Sequence, residues 1–238
     1  MMKTLVAAVS CAAILAGSAT VSVTADDVSE EMRSVENFDR IRNKGSFEVY
    51  VNVGEEQSVK VTADSEIIGE IETEVRGSTL HIRMDDDFEW RRYRNIEKMR
   101  VDITVPSLES VRVDGSGDFE VRGIDTETFS ANVNGSGDIE LISAKTQRLN
   151  IDVKGSGDVE ASGTCTDIDV EVKGSGDVEA RDMACASGDI GIMGSGDVSV
   201  TLNESVDVGI MGSGDVVVYG KPDKVSTRAM GSGDVVLR

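Results

Sequence analysis

The sequence predicts an all-β protein, a parallel β-solenoid of 18–20-residue coils with an N-terminal β capping region. The first observation is a tetrapeptide, Gly-Ser-Gly-Asp, that occurs seven times at spacings of 20, 20, 19, 20, 18 and 19 residues. The second is a strict alternation of apolar and polar residues between the copies, as in half-buried strands. A repeat of about 20 residues is typical of solenoids, in which each unit buries its apolar side against its neighbours.

The first 25 residues are typical of a secretory signal peptide. Lys3 precedes an apolar run from Leu5 to Ala16, and small residues lead up to Ala25. Because this run is shorter than the ~20 residues that span a bilayer, we expect cleavage after Ala25 rather than a membrane anchor. Cys11 offers a lipoprotein alternative, although it lies inside the apolar run. The prediction is an exported protein of the periplasm, cell surface or extracellular space, with no transmembrane segment after signal removal.

The region before the repeats has strand patterns without the tetrapeptide. Residues 26–37 are polar and acidic, which predicts a flexible mature N-terminus. Within 38–106, apolar residues alternate with polar ones, and turns fall at Gly and Pro residues. We interpret 38–106 as a β region that caps the solenoid of 107–238, because solenoid ends need covering. No change of composition separates the two, so 38–238 is expected to form one continuous domain.

The segment 85–95 holds the only tryptophan, in the sequence DDDFEWRRYRN. Charges of both signs occur together there, which favours an exposed hairpin loop whose charges pair with one another. Trp, Tyr and Arg are also frequent anchors in protein interfaces. The alternative is therefore a contact patch made by Trp90, Arg91, Arg92 and Tyr93.

In each repeat the apolar positions continue through both glycines of the tetrapeptide. Between Phe129 and Leu141 every second residue is apolar or glycine, so both glycines point inward and Ser and Asp point outward. We expect glycine there because a side chain would fill the narrow corner at which the chain turns. Stacked coils would then align the seven corners in one line.

The same stacking would place seven aspartates in one line, here called the Asp row. Neighbouring carboxylates about 4.8 Å apart repel one another by about 0.9 kcal/mol even in water. Two arrangements would offset this repulsion: backbone N–H groups at the turns that donate to the carboxylates, or Ca²⁺ ions bound along the row. The candidate metal ligands are the seven members of the row: Asp118, Asp138, Asp158, Asp177, Asp197, Asp215 and Asp234.

Two cysteines remain after the leader, and they have the same phase in adjacent repeats. Cys165 lies nine residues before Gly174, and Cys185 lies nine before Gly194. Stacking should place one above the other, at a Cα separation that a disulfide allows. Export permits the bond, and two buried free thiols are the alternative.

Composition argues against several classes of function. With 24 basic and 44 acidic residues the net charge is −20, which disfavours binding to nucleic acid or anionic lipid. His81 is the only histidine and is out of phase with Leu80 and Ile82, so we expect it to face solvent. The sequence has no nucleophile motif and no His and Cys cluster for zinc. We therefore predict that the protein is not an enzyme. Because β-solenoid folds host polysaccharide-cleaving enzymes, a polysaccharide-active enzyme stays as an alternative, the least favoured one.

Three segments carry a family resemblance. They are NFDRIRNKGSFEVYV at 37–51, GSTLHIRM at 77–84 and VDITVPSLESVRVDGSGDFEVRG at 101–123, followed by repeated VxGSGDV units. They resemble a family of secreted bacterial proteins, the putative auto-transporter adhesins with a head GIN domain. The resemblance implies an exported protein with a β-helix-like solenoid and supplies no catalytic residues.

The repeat, the leader and the resemblance together predict a non-enzymatic exported solenoid. Its acidic, Ser- and Asp-rich repetitive surface would serve adhesion or association with the cell envelope, with a surface glycan or an envelope protein as partner. A Ca²⁺-binding structural solenoid is the alternative. The sequence otherwise predicts no cofactor. No polar cap follows Asp234, so we expect the exposed edge of the last coil to allow end-to-end self-association.

Overall fold

The computed structural model describes residues 28–89, 96 and 98–238. The predicted leader, and the candidate contact residues Trp90, Arg91, Arg92 and Tyr93, lie outside the described residues. The predicted fold class is confirmed, because parallel stacked coils form a β-solenoid of about six turns. No helix in the described part of the chain has the length and apolar character needed to cross a membrane.

Seventeen strands, all hydrogen-bonded into one sheet, and one 3₁₀ turn make up the described chain. The elements before the repeats are β1 (Val28–Met32), β2 (Arg40–Gly45), β3 (Glu48–Val53), β4 (Ser58–Asp64), the 3₁₀ turn (Ile68–Glu70), β5 (Ile71–Arg76), β6 (Thr79–Met84) and β7 (Met99–Val105). Those of the repeats are β8 (Ser110–Gly115), β9 (Asp118–Arg122), β10 (Asp125–Gly135), β11 (Ile139–Gly155), β12 (Val159–Gly174), β13 (Val178–Gly194), β14 (Val198–Gly212), β15 (Val216–Tyr219), β16 (Lys224–Gly231) and β17 (Val235–Leu237).

Two parallel faces meet at the Gly-Ser-Gly-Asp corner. The pre-corner face consists of the segments that lead into the corner, which stack in the order β6, β2, β8, β10, β11, β12, β13, β14 and β16. The post-corner face consists of the segments that leave it, in the order β7, β3, β9, β11, β12, β13, β14, β15 and β17. The long strands β11 to β14 contribute to both faces and include the third side that connects them.

The corners lie in one line, as the spacing predicts. Each first glycine pairs in register with the first glycine of the next coil, and all seven second glycines are buried. The alignment extends one coil further than the tetrapeptide, because Gly45 pairs with Gly115. The aligned first glycines are Gly45, Gly115, Gly135, Gly155, Gly174, Gly194, Gly212 and Gly231.

The reason for the glycines differs from the one expected. A Cβ built on Gly157 would lie 2.1 Å from the carbonyl oxygen of Gly137 on the preceding coil, and one on Gly155 would lie 2.1 Å from that of Gly135. Gly155 also has a φ of +132°, a conformation that L-residues rarely adopt. The stacked backbone of the neighbouring coil, rather than a narrow interior corner, therefore excludes side chains here.

The first coils do not stack in sequence order. The coil made by β2 and β3 lies between β6 and β7 on one side and β8 and β9 on the other. Its corner, 45–48, reads Gly-Ser-Phe-Glu in place of the tetrapeptide, and Phe47 fills the interior at the position of the second glycine. The chain thus places its second coil outside its first before it begins the regular repeat.

Antiparallel strands cover the N-terminal end of the solenoid. Strand β4 pairs with β7, β1 pairs with β4, and β5 pairs with β6. The 3₁₀ turn adds buried apolar side chains between β4 and β5, among them Ile67, Ile68 and Ile71. The predicted capping region is therefore present. The prediction that 26–37 is flexible is wrong in part, because 28–32 of that segment form β1.

Candidate functional site

The Asp row is a continuous hydrogen-bonded feature along the corner. All seven aspartates are exposed. The backbone N–H of each aspartate after Asp118 donates to the side-chain Oδ1 of the aspartate on the preceding coil, as from Asp138 to Asp118 at 2.9 Å, whereas the N–H of Asp118 donates to the carbonyl oxygen of Phe47 at 3.0 Å. The remaining bonds, from Asp158, Asp177, Asp197, Asp215 and Asp234 to their predecessors, are 2.7–2.8 Å long. The row thus follows the first of the two predicted arrangements, with the donor on the next coil.

Calcium binding along the row stays a prediction. Across the described residues, no group of three or more His, Cys, Asp or Glu side chains is placed to hold a metal ion. In the row itself, one oxygen of each carboxylate from Asp118 to Asp215 already accepts a backbone N–H.

A second line of carboxylates, here called the Glu row, runs parallel to the Asp row on the post-corner face. Its members each lie two residues after an aspartate of the first row, and they pair in register from coil to coil. They are Glu120, Glu140, Glu160 and Glu179. These glutamates are not among the residues predicted from the sequence, although the recurring Asp-x-Glu after each corner from Asp118 to Asp177 is a signal that could have identified them.

The two rows border a shallow groove of about 450 Å³ at the N-terminal part of this face. Its polar lining is mostly carboxylate and includes Asp118, Asp138 and Asp158. At its N-terminal end Glu48 is in register with Asp118 and Tyr50 with Glu120. The guanidinium of Arg100, on the next coil, lies over the Tyr50 ring at 3.9 Å from the ring centroid and introduces positive charge there. Toward the C-terminus the Glu row gives way to Ser199 and the valines of β15 and β17. The densest negative charge therefore lies on the middle coils.

The pre-corner face has a mixed charge where it is nearest the cap. Asp114 accepts hydrogen bonds from Arg112 at 3.0 Å and Asn134 at 2.9 Å, and a short one from Arg42. Burial disfavours its charged form, but these three donors outweigh burial and hold the pKa of Asp114 below its ordinary value. This carboxylate is thus neutralised within the face. No basic residue occupies either carboxylate row from Asp118 onwards, although Arg122 pairs with Glu120 at 2.7 Å from outside the row.

Further along the pre-corner face, three aspartates stack directly on one another, with no basic residue between them in the stack. Asp169 pairs in register with Asp189, and Asp189 pairs with Asp207. Partial desolvation, followed by repulsion from Asp189 and Glu171, raises the pKa of Asp169 above its ordinary value. Asp207 has a basic partner on the next strand, the guanidinium of Arg228 at 3.8 Å, so the negative charge of this line is partly offset at its C-terminal end.

The cysteines lie where their phase places them. Cys165 on β12 and Cys185 on β13 are direct register partners, with a Cα–Cα distance of 4.5 Å. A disulfide joins them and cross-links two adjacent coils on the third side of the solenoid. This separation lies within the range that disulfides adopt.

His81 shows no catalytic arrangement. It lies on β6 with Arg42 as its register partner, at a half-exposed position, as its phase predicts. Desolvation, then repulsion from Arg42 and Arg76, lowers the pKa of the imidazole below its ordinary value. Its register partner on the other side is Glu74 on β5, so a carboxylate and arginines flank the imidazole, and a triad would also need a nucleophile beside it.

Comparison with known proteins adds a family and a set of similar folds. A family model described as "Putative auto-transporter adhesin, head GIN domain" matches residues 37–222. No curated protein matches the chain. Among solved structures, a putative adhesin from Bacteroides fragilis NCTC 9343 is 25% identical over 89% of this chain and 97% of its own, with a TM-score of 0.83.

Two further solved structures share the fold at lower identity. A putative lipid binding protein from Parabacteroides distasonis ATCC 8503 is 22% identical, covers 89% of this chain and 97% of its own, and has a TM-score of 0.71. A putative adhesin from Parabacteroides merdae ATCC 43184 is 17% identical, with 89% and 96% covered and a TM-score of 0.68. Both support the solenoid architecture described above.

Proposed function

We propose a function from the premise that this chain belongs to the family of putative auto-transporter adhesins with a head GIN domain. Adhesin-like relatives point to a non-enzymatic role in adhesion or at the cell envelope, for an exported or surface protein. In the proposed function, the solenoid is a rigid, exported binding module. Its post-corner face presents the Asp row and the Glu row to a cationic surface of an envelope protein.

The observation that carries this proposal is the pairing of the two rows. Glu140, Glu160 and Glu179 are exposed and lie in register on three consecutive coils. Each stands two residues from an exposed aspartate whose backbone is fixed by the hydrogen bonds of the corner. Side chains two apart on a strand share a face, so the middle coils offer a regular, two-wide array of carboxylates on a preorganised scaffold. Preorganisation reduces the ordering cost of binding.

The chemistry of this array selects the partner. Ionised carboxylates only accept hydrogen bonds, so a complementary surface must supply donors and, to offset the negative charge, cations. Lysine and arginine side chains of a protein provide both, whereas an uncharged glycan provides hydroxyl groups alone. A basic envelope protein therefore fits the array better than a neutral glycan does.

The experiment compares two triple variants that remove the same charge. Glu140→Gln, Glu160→Gln and Glu179→Gln neutralise the three exposed members of the Glu row without touching the corner hydrogen bonds. The matched control, Glu127→Gln, Asp182→Asn and Glu204→Gln, neutralises three exposed carboxylates on the third side of the coils. Binding of each purified, labelled protein to intact cells of the source organism is measured at low and high salt.

We expect the Glu-row variant to bind at least about tenfold more weakly at low salt and the control to bind like wild type, with the difference shrinking as salt screens the charges. Protease treatment of the cell surface should abolish binding, whereas removal of surface glycans should not. Equal binding by both variants, or binding lost only with the glycans, would contradict the proposal. Recovery of the native protein in the cytoplasm alone, after fractionation, would remove the exported role.

A further inference from the structure

Three methionines form a line on the pre-corner face, here called the Met row. Met193 on β13, Met211 on β14 and Met230 on β16 are direct register partners on three adjacent parallel strands. Their exposed fractions are 42%, 49% and 67%. The row therefore places three thioether side chains side by side on the solvent-facing surface of a rigid sheet.

On the two preceding coils, the same register position is occupied by lysine. Lys154 pairs with Lys173, and Lys173 pairs with Met193. An exposed strand position of this solenoid thus accepts a long charged side chain, and the change to methionine begins at Met193 and persists over three coils. Packing does not demand the change, because these side chains point away from the core.

The next solvent-facing position on two of these strands is glycine. Gly191 and Gly209 lie two residues before Met193 and Met211, on the same face. A Cβ built on Gly209 would meet nothing within 4 Å, and one on Gly191 would meet only a carbonyl oxygen at 3.9 Å. Neither glycine is required by crowding, so their effect is to leave open space beside the thioethers.

We infer that Met193, Met211 and Met230 form a binding site for one soft monovalent metal ion of the Cu⁺ class. Thioether sulfur is a soft ligand that selects Cu⁺ over hard cations. Strands in a parallel sheet are about 4.8 Å apart, and methionine has three rotatable bonds, so neighbouring side chains of the row can turn their sulfur atoms toward a common ion. The open space over Gly191 and Gly209 would admit it.

Charged side chains of both signs lie near the Met row. Asp189 and Asp207 lie on the same two strands and the same face, four residues before Met193 and Met211. Across the corner, Asp197 and Asp215 follow the same methionines by four residues. Lys173 is the register partner of Met193, and Arg228 lies two residues before Met230 with its guanidinium 3.8 Å from Asp207. The carboxylates therefore offset these two bases. Selection of the ion rests on the thioethers, whose neutral, soft sulfur atoms disfavour Ca²⁺ or Mg²⁺.

The test uses Ag⁺ as a redox-inert probe of the same class, titrated into the full chain after free thiols have been alkylated. We expect saturable binding of one Ag⁺ per chain, absent with Ca²⁺ and also seen with Cu⁺ kept reduced by ascorbate, a reductant that leaves the Cys165–Cys185 disulfide intact. Met211→Leu, which removes the central thioether and keeps its bulk, should weaken binding at least about tenfold. The matched control is Met32→Leu, an exposed methionine on β1 that lies outside the row.

A second readout needs no variant. Hydrogen peroxide oxidises exposed methionines to sulfoxides, and a bound ion should slow this reaction at 193, 211 and 230 while leaving Met32 unaffected, as peptide mass spectrometry would show. Absence of saturable Ag⁺ binding, equal affinity of the Met211→Leu variant and wild type, or protection that does not distinguish the row from Met32 would each overturn the inference.

Discussion

The backbone N–H of Asp158 donates a hydrogen bond to Oδ1 of Asp138, 2.8 Å away on the preceding coil. The same bond recurs from Asp177 back to Asp158, at 2.7 Å. Each carboxylate of the Asp row from Asp118 to Asp215 therefore satisfies a backbone donor of the next coil, and this attraction opposes the repulsion between neighbouring charges. The row connects coils as well as charging the surface.

This hydrogen bond predicts that the acceptor oxygen of Asp158 contributes more to the stability of the fold than its negative charge does. Asp158→Ala leaves the N–H of Asp177 without its side-chain acceptor and should lower the free energy of unfolding by about 1 kcal/mol. Asp158→Asn keeps an acceptor oxygen and removes one repelling charge, so it should stay within about 0.5 kcal/mol of wild type. Urea unfolding of the two variants measures the difference. Equal losses in both would show that the charge, and not the hydrogen bond, stabilises the corner.

The corner glycines should tolerate no side chain, whereas a glycine elsewhere in the same coils should. In Gly157→Ala the new Cβ would lie 2.1 Å from the Gly137 carbonyl oxygen, so the coils must separate. We expect a loss of about 2 kcal/mol or more in unfolding free energy. The control, Gly209→Ala, meets nothing within 4 Å and has an ordinary φ, and it should be neutral or stabilise by up to about 1 kcal/mol. Thermal melts that rank the two variants in the opposite order would refute the steric account.

The regular part of this fold could be predicted because its information is local and repeated. The alternation through Gly135 and Gly137 identifies inward positions, and the constant spacing aligns successive corners. The N-terminal order could not be predicted, since β2 pairs with β6 and β8 rather than with a strand adjacent in sequence. Pairings of this kind depend on tertiary packing, and sequential neighbours are the usual expectation.

Among the surface rows, too, one could be predicted from the sequence and another could not. The Asp row follows from the tetrapeptide itself, whereas the Met row depends on the register of β13, β14 and β16 over positions whose residue type changes from coil to coil. An exact repeat draws attention in a sequence, but Lys173 followed by Met193 does not. The substitution of Phe47 for the second glycine in the first coil was likewise hidden, because the coil lies before the repeat and lacks its tetrapeptide.

The cross-link between coils predicts a redox-dependent stability. Cys165 and Cys185 are 20 residues apart in sequence, and closing a loop of that length is worth about 3 kcal/mol. Replacing both by Ser should lower the unfolding free energy by about that amount, and dithiothreitol should destabilise wild type without further effect on the double variant. Mass spectrometry after alkylation without reduction provides the check. Alkylation of both residues in the folded protein would show that they are free thiols.

Calcium should leave the stability of the solenoid unchanged if backbone N–H groups alone support the Asp row. Thermal melts in EDTA and in millimolar Ca²⁺ should then coincide, because no ligand binds the native state preferentially. A higher melting temperature in Ca²⁺ would instead favour the calcium-binding solenoid. In that case Asp138→Asn, Asp158→Asn and Asp177→Asn together should abolish the increase, since neutral amides bind Ca²⁺ more weakly than carboxylates.

Asp169 should make the protein less stable at neutral pH than its amide variant. Its pKa is raised in the folded protein, first by partial desolvation and then by Asp189 and Glu171, so ionisation costs more in the folded state than in the unfolded chain. That cost is fully present above the folded pKa. It disappears as the pH falls toward the unfolded value of about 3.9, because the folded protein takes up the proton first.

Asp169→Asn should therefore raise the melting temperature at pH 7, and the gain should shrink steadily on acidification and vanish near pH 3, where wild type is protonated in both states. Asp182→Asn, an exposed carboxylate on the third side of the coils, is the control for a general effect of lower net charge. Because the protein carries a charge of −20, any carboxylate removal reduces overall repulsion. Only a gain at Asp169 that exceeds the gain at Asp182, and that is lost on acidification, supports the local cause; equal gains at both positions would assign the effect to net charge alone.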